Sequence, residues 1–138
     1  MKIKNALILT EDFIPAFDEL LKKSMPARQC LQMIESLDEL INHDKILRMA
    51  QITIVKKYAR VDEKGELVFA QNGDAIFDTP EKETECKKEL HEIRDEFFEI
   101  PLEDKVQIYE DDVSTPRKLF LLKDIVEVIS RPVPEQKS

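Results

Sequence analysis

Apolar positions recur at two different spacings along this chain, and the change from one to the other marks out its elements. Lys2 and Lys4 alternate with Ile3, so residues 2–9 predict a short strand or extended arm that closes at Leu9. Phe13, Phe17, Leu20 and Leu21 then fall at helical spacing. Thr10-Glu11-Asp12 supplies a capping hydroxyl and first-turn acids. A helix is expected from near Asp12 to near Lys23, with Pro15 in the first turn, where its missing N–H is not needed. Ser24-Met25-Pro26 restarts a helix, with Pro26 at the first helical position. Neither glycine nor proline occurs from Ala27 to Tyr58. The apolar stripe there runs through Ala27, Cys30, Ile34, Leu37 and Ile41, then through Leu47, Ala50, Ile54 and Tyr58. It shifts once, around Asn42-His43-Asp44. One helix of about 33 residues, bent or straight, is favoured, and two helices parted at the shift are the alternative. A single helix would span roughly 50 Å at about 1.5 Å per residue, so it needs partners along its length or it projects.

After Tyr58 the period changes. Val61 to Gly65 reads as a turn. Asn72-Gly73 lies between two apolar segments, 66–70 and 75–78, and predicts a β-hairpin with a type I′ turn. That turn would set Phe69 opposite Ile76 and Val68 opposite Phe77. Thr79-Pro80-Glu81 opens another helix, with Cys86, Leu90, Ile93 and Phe97 as its buried face and Pro101 as its stop. Val106 and Ile108 share one face of a strand over 105–109. Glu110-Asp111-Asp112 is an acidic turn. Thr115-Pro116 opens a last helix, with Leu119, Leu122, Val126 and Ile129 inward, until Arg131-Pro132 breaks it.

These elements make a mainly helical α+β fold: a long central helix, a β-hairpin and one or two short extra strands. With 138 residues, 42% of them hydrophobic, the chain can bury one modest core. A single domain is expected over 1–131, with a flexible C-terminal tail at 132–138. The apolar run that closes at Leu9, about five residues, is too short for a signal peptide, and no stretch approaches a membrane span, so a cytoplasmic protein is expected. Cys30 and Cys86 both fall on apolar helix faces and read as free, buried thiols.

Charge changes the picture more than composition does. The net charge is −8, against general nucleic-acid binding. It is unevenly placed. Residues 61–112 hold 18 acids and 6 bases, whereas 1–60 and 113–138 are each +2. The acidic third either packs against the two basic ends, is simply solvated, or meets a basic partner. Arg28, Arg48, Lys56, Lys57 and Arg60 could form a local basic face on the long helix.

Little else in the sequence carries chemistry. Two glycines, Gly65 and Gly73, exclude Gly-rich phosphate loops. His43 and His91 stand apart, and the cysteines form no Cys-x-x-Cys pair, so no metal, cofactor or catalytic residue is assigned. Glu110-Asp111-Asp112 lacks the pattern of a calcium loop. Arg28, Arg48 and Arg60 are too widely spaced to gather one anion. The expected protein is therefore not an enzyme. Its candidate contact residues are the acids Glu81, Glu85, Glu92, Glu110, Asp111 and Asp112, with Phe98 and Phe120 as apolar side chains beside the main stripes. The expected partner is a protein, basic in character, with a homodimer through the long helix also expected.

The order of elements resembles a known group. An early Pro15, Pro26 before a long helix, Lys57-Tyr58-Ala59-Arg60 at its end, Asp62-Glu63-Lys64-Gly65, an acidic helix, Ile100-Pro101-Leu102 and Ser114-Thr115-Pro116 follow one another. This resembles small uncharacterised proteins of tailed bacteriophages and prophages of Gram-positive bacteria, a domain of unknown function, over roughly residues 2–130. The resemblance implies a phage accessory protein in the cytoplasm of the infected cell, modulating a host factor or a defence system. The alternative it leaves is a structural or assembly component of the virion. It brings no catalytic residues.

Overall fold

The computed structural model describes residues 1–130; the expected tail at 132–138 lies outside them. Strand β1 (Lys2–Lys4) leads at once into a one-turn helix, α1 (Asn5–Ile8), so the first segment is extended only at its start. Helix α2 (Phe13–Leu20) follows, starting beside Asp12 as expected and stopping short of Lys23. Helix α3 (Ala27–Tyr58) is one unbroken element of 32 residues, and the two-helix alternative falls. Pro26 stands just before it as the N-cap residue, with extended ψ, rather than inside it. No break occurs at Asn42-His43-Asp44, because each of these residues can stay helical when tertiary contacts hold it there.

Three extended segments connect α3 to the next helix, over residues 59–78. The turn between the last two differs from the type I′ expectation. A type I′ turn needs positive φ at both central residues, and only Gly73, at φ +87°, has it. The chain instead makes a three-residue loop: Gly73 N–H donates to Ala70 C=O, and Ala70 N–H donates to Asp74 C=O. This shifts the register by one, so Phe69 faces Ala75. Asp62 to Glu66 repeat the same device, with Gly65 at φ +79° and the Asp62 carboxylate accepting from the Lys64 and Glu66 N–H groups. The segments close on one another in a cycle. Arg60 N–H donates to Ile76 C=O, Ile76 N–H to Val68 C=O, and Val68 N–H to Arg60 C=O.

Helix α4 (Pro80–Asp95) begins on Thr79, whose hydroxyl accepts from Lys82 N–H, with Pro80 at the first helical position. It stops before Phe97, which the sequence placed on its buried face. Phe97 lies instead in strand β2 (Phe97–Glu99), antiparallel to β1, with Ile3 opposite Phe98. The pairing pulls the chain out of the helix well ahead of Pro101. Strand β3 (Val106–Ile108) buries Val106 and Ile108 as its alternation predicts. A 3-10 turn spans Glu110–Asp112. Helix α5 (Pro116–Leu121) opens on Thr115 by the same capping chemistry as α4 but is far shorter than expected. Val126 and Val128 belong to strand β4 (Val126–Val128), parallel to β3. Their two-residue alternation, with β-branched side chains, suits a strand better than a final helical turn.

The core gathers at one end. Phe13, Phe17 and Leu20 of α2 meet Met33, Leu40 and Leu47 of α3, closed by Ile3, Ile8, Ile100, Leu102, Ile108 and Leu122. Past Leu47 no residue of α3 is fully buried. There α3 and α4 run together to the 59–78 segment, with Cys86 as the buried residue of α4. Among the described residues no helix is long and apolar enough to cross a membrane.

Candidate functional site

The side of α3 away from the core carries the main apolar surface. Leu31, Ile34, Ile41, Met49 and Ile52 are between 40% and 68% exposed. At 3.6 residues per turn they fall within an arc of about 80°. This corrects the stripe expected from sequence, which turned Ile34 and Ile41 inward. The buried positions are Met33, Ser36, Leu40 and Leu47. Two apolar series run along α3 one residue out of phase, 33-40-47 and 34-41, and only one can face the core. Ser36 allows close packing on the buried side, and its hydroxyl has no hydrogen-bond partner there.

The five basic residues expected to form a local face, four on α3 and Arg60 just past its end, do not form a free one. Arg28 pairs with Glu103, Arg48 with Asp44, Lys56 with Glu66, Lys57 with Glu89 and Arg60 with Asp78. Four of those carboxylates come from the acidic third of the chain, so much of its charge is matched internally. Among the acids that remain outward, one group lies on α4. Glu81, Glu85 and Glu92 are exposed along one line of that helix, and none has an ion-pair partner among the described residues. Glu89, one turn away, is drawn inward.

Three polar clusters tie elements together. His43, halfway along α3, lies flat on the Phe98 ring, with centroids 3.9 Å apart and planes 10° from parallel. Its Nε2 is 2.9 Å from Asn5 Oδ1, and Asn5 Nδ2 donates to Ile93 C=O. Asn5 Oδ1 can only accept, so Nε2 carries the proton. Burial pushes the His43 imidazole below its ordinary pKa, opposed by the nearby Asp44 charge. In the second cluster Glu89 Oε1 accepts from Tyr58 Oη at 2.8 Å and from Lys57 Nζ at 3.0 Å. These bonds lower the Glu89 pKa and raise those of Lys57 and Tyr58. In the third, Glu19 of α2 accepts from Ser114 Oγ at 2.6 Å and Lys118 Nζ at 3.0 Å, which lowers its pKa.

The remaining candidates are scattered. Asp112 pairs with Lys23 and accepts from Tyr109 N–H at 2.6 Å, so it closes its own turn. Glu110 and Asp111 are exposed beside it. They border a cleft of about 660 Å³ whose far wall is Leu119, Val128 and Ile129. Phe98 is half-buried under His43, while Phe120 is exposed with Lys123 Nζ 4.5 Å from its ring centre. Phe97 is exposed as well, and the sequence had turned it inward. Cys86 is a free thiol whose pKa is raised by burial and by the Glu89 and Glu83 charges. Cys30 is free and half-buried. Among the described residues no three His, Cys, Asp or Glu side chains gather in a way that could hold a metal ion. Comparison with family models, curated proteins and solved structures finds no match for the chain.

Proposed function

We propose that this chain is a non-catalytic accessory protein that works by binding another protein. The observation that carries this is the exposed apolar face of α3. Single exposed apolar side chains are ordinary, but five along one helix face form a patch of the kind that marks protein contacts. The polar clusters support the same view. Their titratable groups are satisfied by one another across element boundaries, which is how a scaffold uses them. The outward acids of α4 favour a partner with a basic surface, since opposed charge steers encounter and rejects wrong partners. The resemblance to phage proteins supports a role in the infected cell, modulating a host factor or a defence system.

The test is capture on the immobilised chain from lysate of infected cells, at low and moderate salt. The expected result is one protein retained in stoichiometric amount. It should be lost from a Glu81→Lys, Glu85→Lys, Glu92→Lys variant or from an Ile34→Glu, Ile52→Glu variant. A chain that retains no protein even at low salt overturns the proposal.

A further inference from the structure

The exposed face of α3 has a symmetry that a patch for an unrelated partner would not need. In chain order its positions are Leu31, Ile34, Asp38, Ile41, Lys45, Met49 and Ile52, all of them exposed. They lie within the same arc of about 80° and extend over roughly 32 Å of helix. Both ends are apolar. The two interior charges have opposite sign and flank Ile41 and Asn42. Neither Asp38 nor Lys45 has an ion-pair partner among the described residues, although Arg28, Arg48, Lys56 and Lys57 of the same helix all do.

Turning the helix end for end about the Ile41-Asn42 peptide maps this face onto itself. Leu31 comes opposite Ile52 of a second copy, Ile34 opposite Met49, and Asp38 opposite Lys45. At the axis Ile41 meets Asn42; away from it each apolar position meets an apolar one and each charge meets its opposite. A parallel pairing would instead set Asp38 against Asp38 and Lys45 against Lys45. Like charges set against each other in an interface are costly, so the sequence selects the antiparallel arrangement. A two-fold interface of this kind must be self-complementary, and this face is.

We infer that the occupant of the α3 face is a second copy of the chain, docked antiparallel about a two-fold axis near Ile41 and Asn42. The inference rests on the reading of this face as a protein interface and names its partner. Two α3 helices packed this way, at the shallow crossing common in helical bundles, would set the two cores on opposite sides of the shared seam. The arms carrying the 59–78 segments would also point in opposite directions. The dimer would then present two separate acidic α4 surfaces to other molecules.

The experiment is sedimentation equilibrium of the purified chain over a hundredfold range of concentration. The wild type is expected to reach twice the chain mass. Asp38→Lys and Lys45→Asp, each alone, should weaken the dimer at least about tenfold by placing like charges opposite each other. The double variant Asp38→Lys, Lys45→Asp should restore it to within about threefold, since both pairs are then re-formed with reversed sign. All these sites are exposed, so circular dichroism should stay unchanged and a folding defect is separable. A wild type that remains monomeric throughout overturns the inference. So does a dimer indifferent to the single changes, or one that the double change does not rescue. A monomer that still captures a foreign protein through α3 would sink the self-pairing and leave the interaction proposal standing. A rescued dimer that captures nothing would do the reverse.

Discussion

The two ends of α3 are held by different physics. Its first two-thirds lie against α1 and α2 and bury Met33, Leu40 and Leu47 in a core with Phe13, Phe17 and Leu20. Its last third runs beside α4 toward the 59–78 segment, where Ile54, Val55 and Tyr58 are only partly covered. Ion pairs line that end: Lys56 with Glu66, Lys57 with Glu89, Arg60 with Asp78. Burial of apolar surface is worth about 25 cal/mol per Å², whereas an exposed ion pair is worth roughly 0–1 kcal/mol. One continuous helix therefore joins a strongly held body to a weakly held arm. Continuity of hydrogen bonding along a helix does not equalise stability along it; tertiary cover does.

The largest expected effect puts that contrast to direct trial. Phe17→Ala, in the body, should cost about 3–5 kcal/mol in urea unfolding, through lost burial and the cavity left behind. Cys86→Ala, at the best-buried site of the arm, should cost about 1 kcal/mol, because less apolar surface is lost and the surroundings can relax. Equal losses would mean the arm is packed as well as the body, and the contrast would fail.

A middle-sized effect is expected where arm and body meet. His43 and Asn5 join α3, α1 and the end of α4 in one buried chain of hydrogen bonds. His43→Ala should cost about 1–3 kcal/mol, since Asn5 Oδ1 is left without its donor. Wild type should also lose stability on acidification in a way the variant does not. The folded-state pKa of His43 lies below the ordinary value of 6.5, so the folded form binds the proton less readily than the unfolded one. Its contribution is complete above that value and declines as pH falls below it toward the folded pKa. The check is the difference in melting temperature between wild type and variant from pH 8 to pH 5. A difference that does not shrink with falling pH would show that His43 is not held neutral.

Much of the body could be read from spacing and capping alone. The helix starts at Thr79-Pro80 and Thr115-Pro116, the long helix without glycine or proline, and the buried Val106 and Ile108 all follow from local chemistry. The failures share a cause: competition between two local solutions that tertiary pairing decides. Residues 97–99 could continue α4, but β1 offers them a strand partner. Residues 126–128 fit a helix stripe, but β3 offers a parallel one. Asn72-Gly73 suits two turn types, and the closed cycle through Arg60, Val68 and Ile76 selects the looser loop. The same ambiguity hid the outer face of α3. Ile34 and Ile41 look as good a core series as Met33 and Leu40, and no local signal says which way the helix is turned. The charges at Asp38 and Lys45 were the available clue, because a core stripe would not include them.

The smallest expected effect tests the arm on its own terms. Glu89 holds both Lys57 and Tyr58 from across the α3–α4 seam, at a half-exposed site that solvent reaches. Glu89→Gln keeps an acceptor for the tyrosine hydroxyl and removes the charge. Exposure screens that charge, so the global melt should hardly move. The change should appear in hydrogen exchange, where the amides of residues 54–58 open faster while those of residues 33–47 keep their protection. High salt should speed the same amides in wild type and leave the variant unaffected, because the attraction it screens is already gone. Acid should act like salt. The Glu89 pKa is lowered by its two hydrogen bonds, so its contribution is complete above the ordinary value of 4.5 and is lost as pH falls from there through the folded value. A uniform change over the whole of α3 would mean that body and arm open as one unit, and that the helix transmits what its ends do not share in packing.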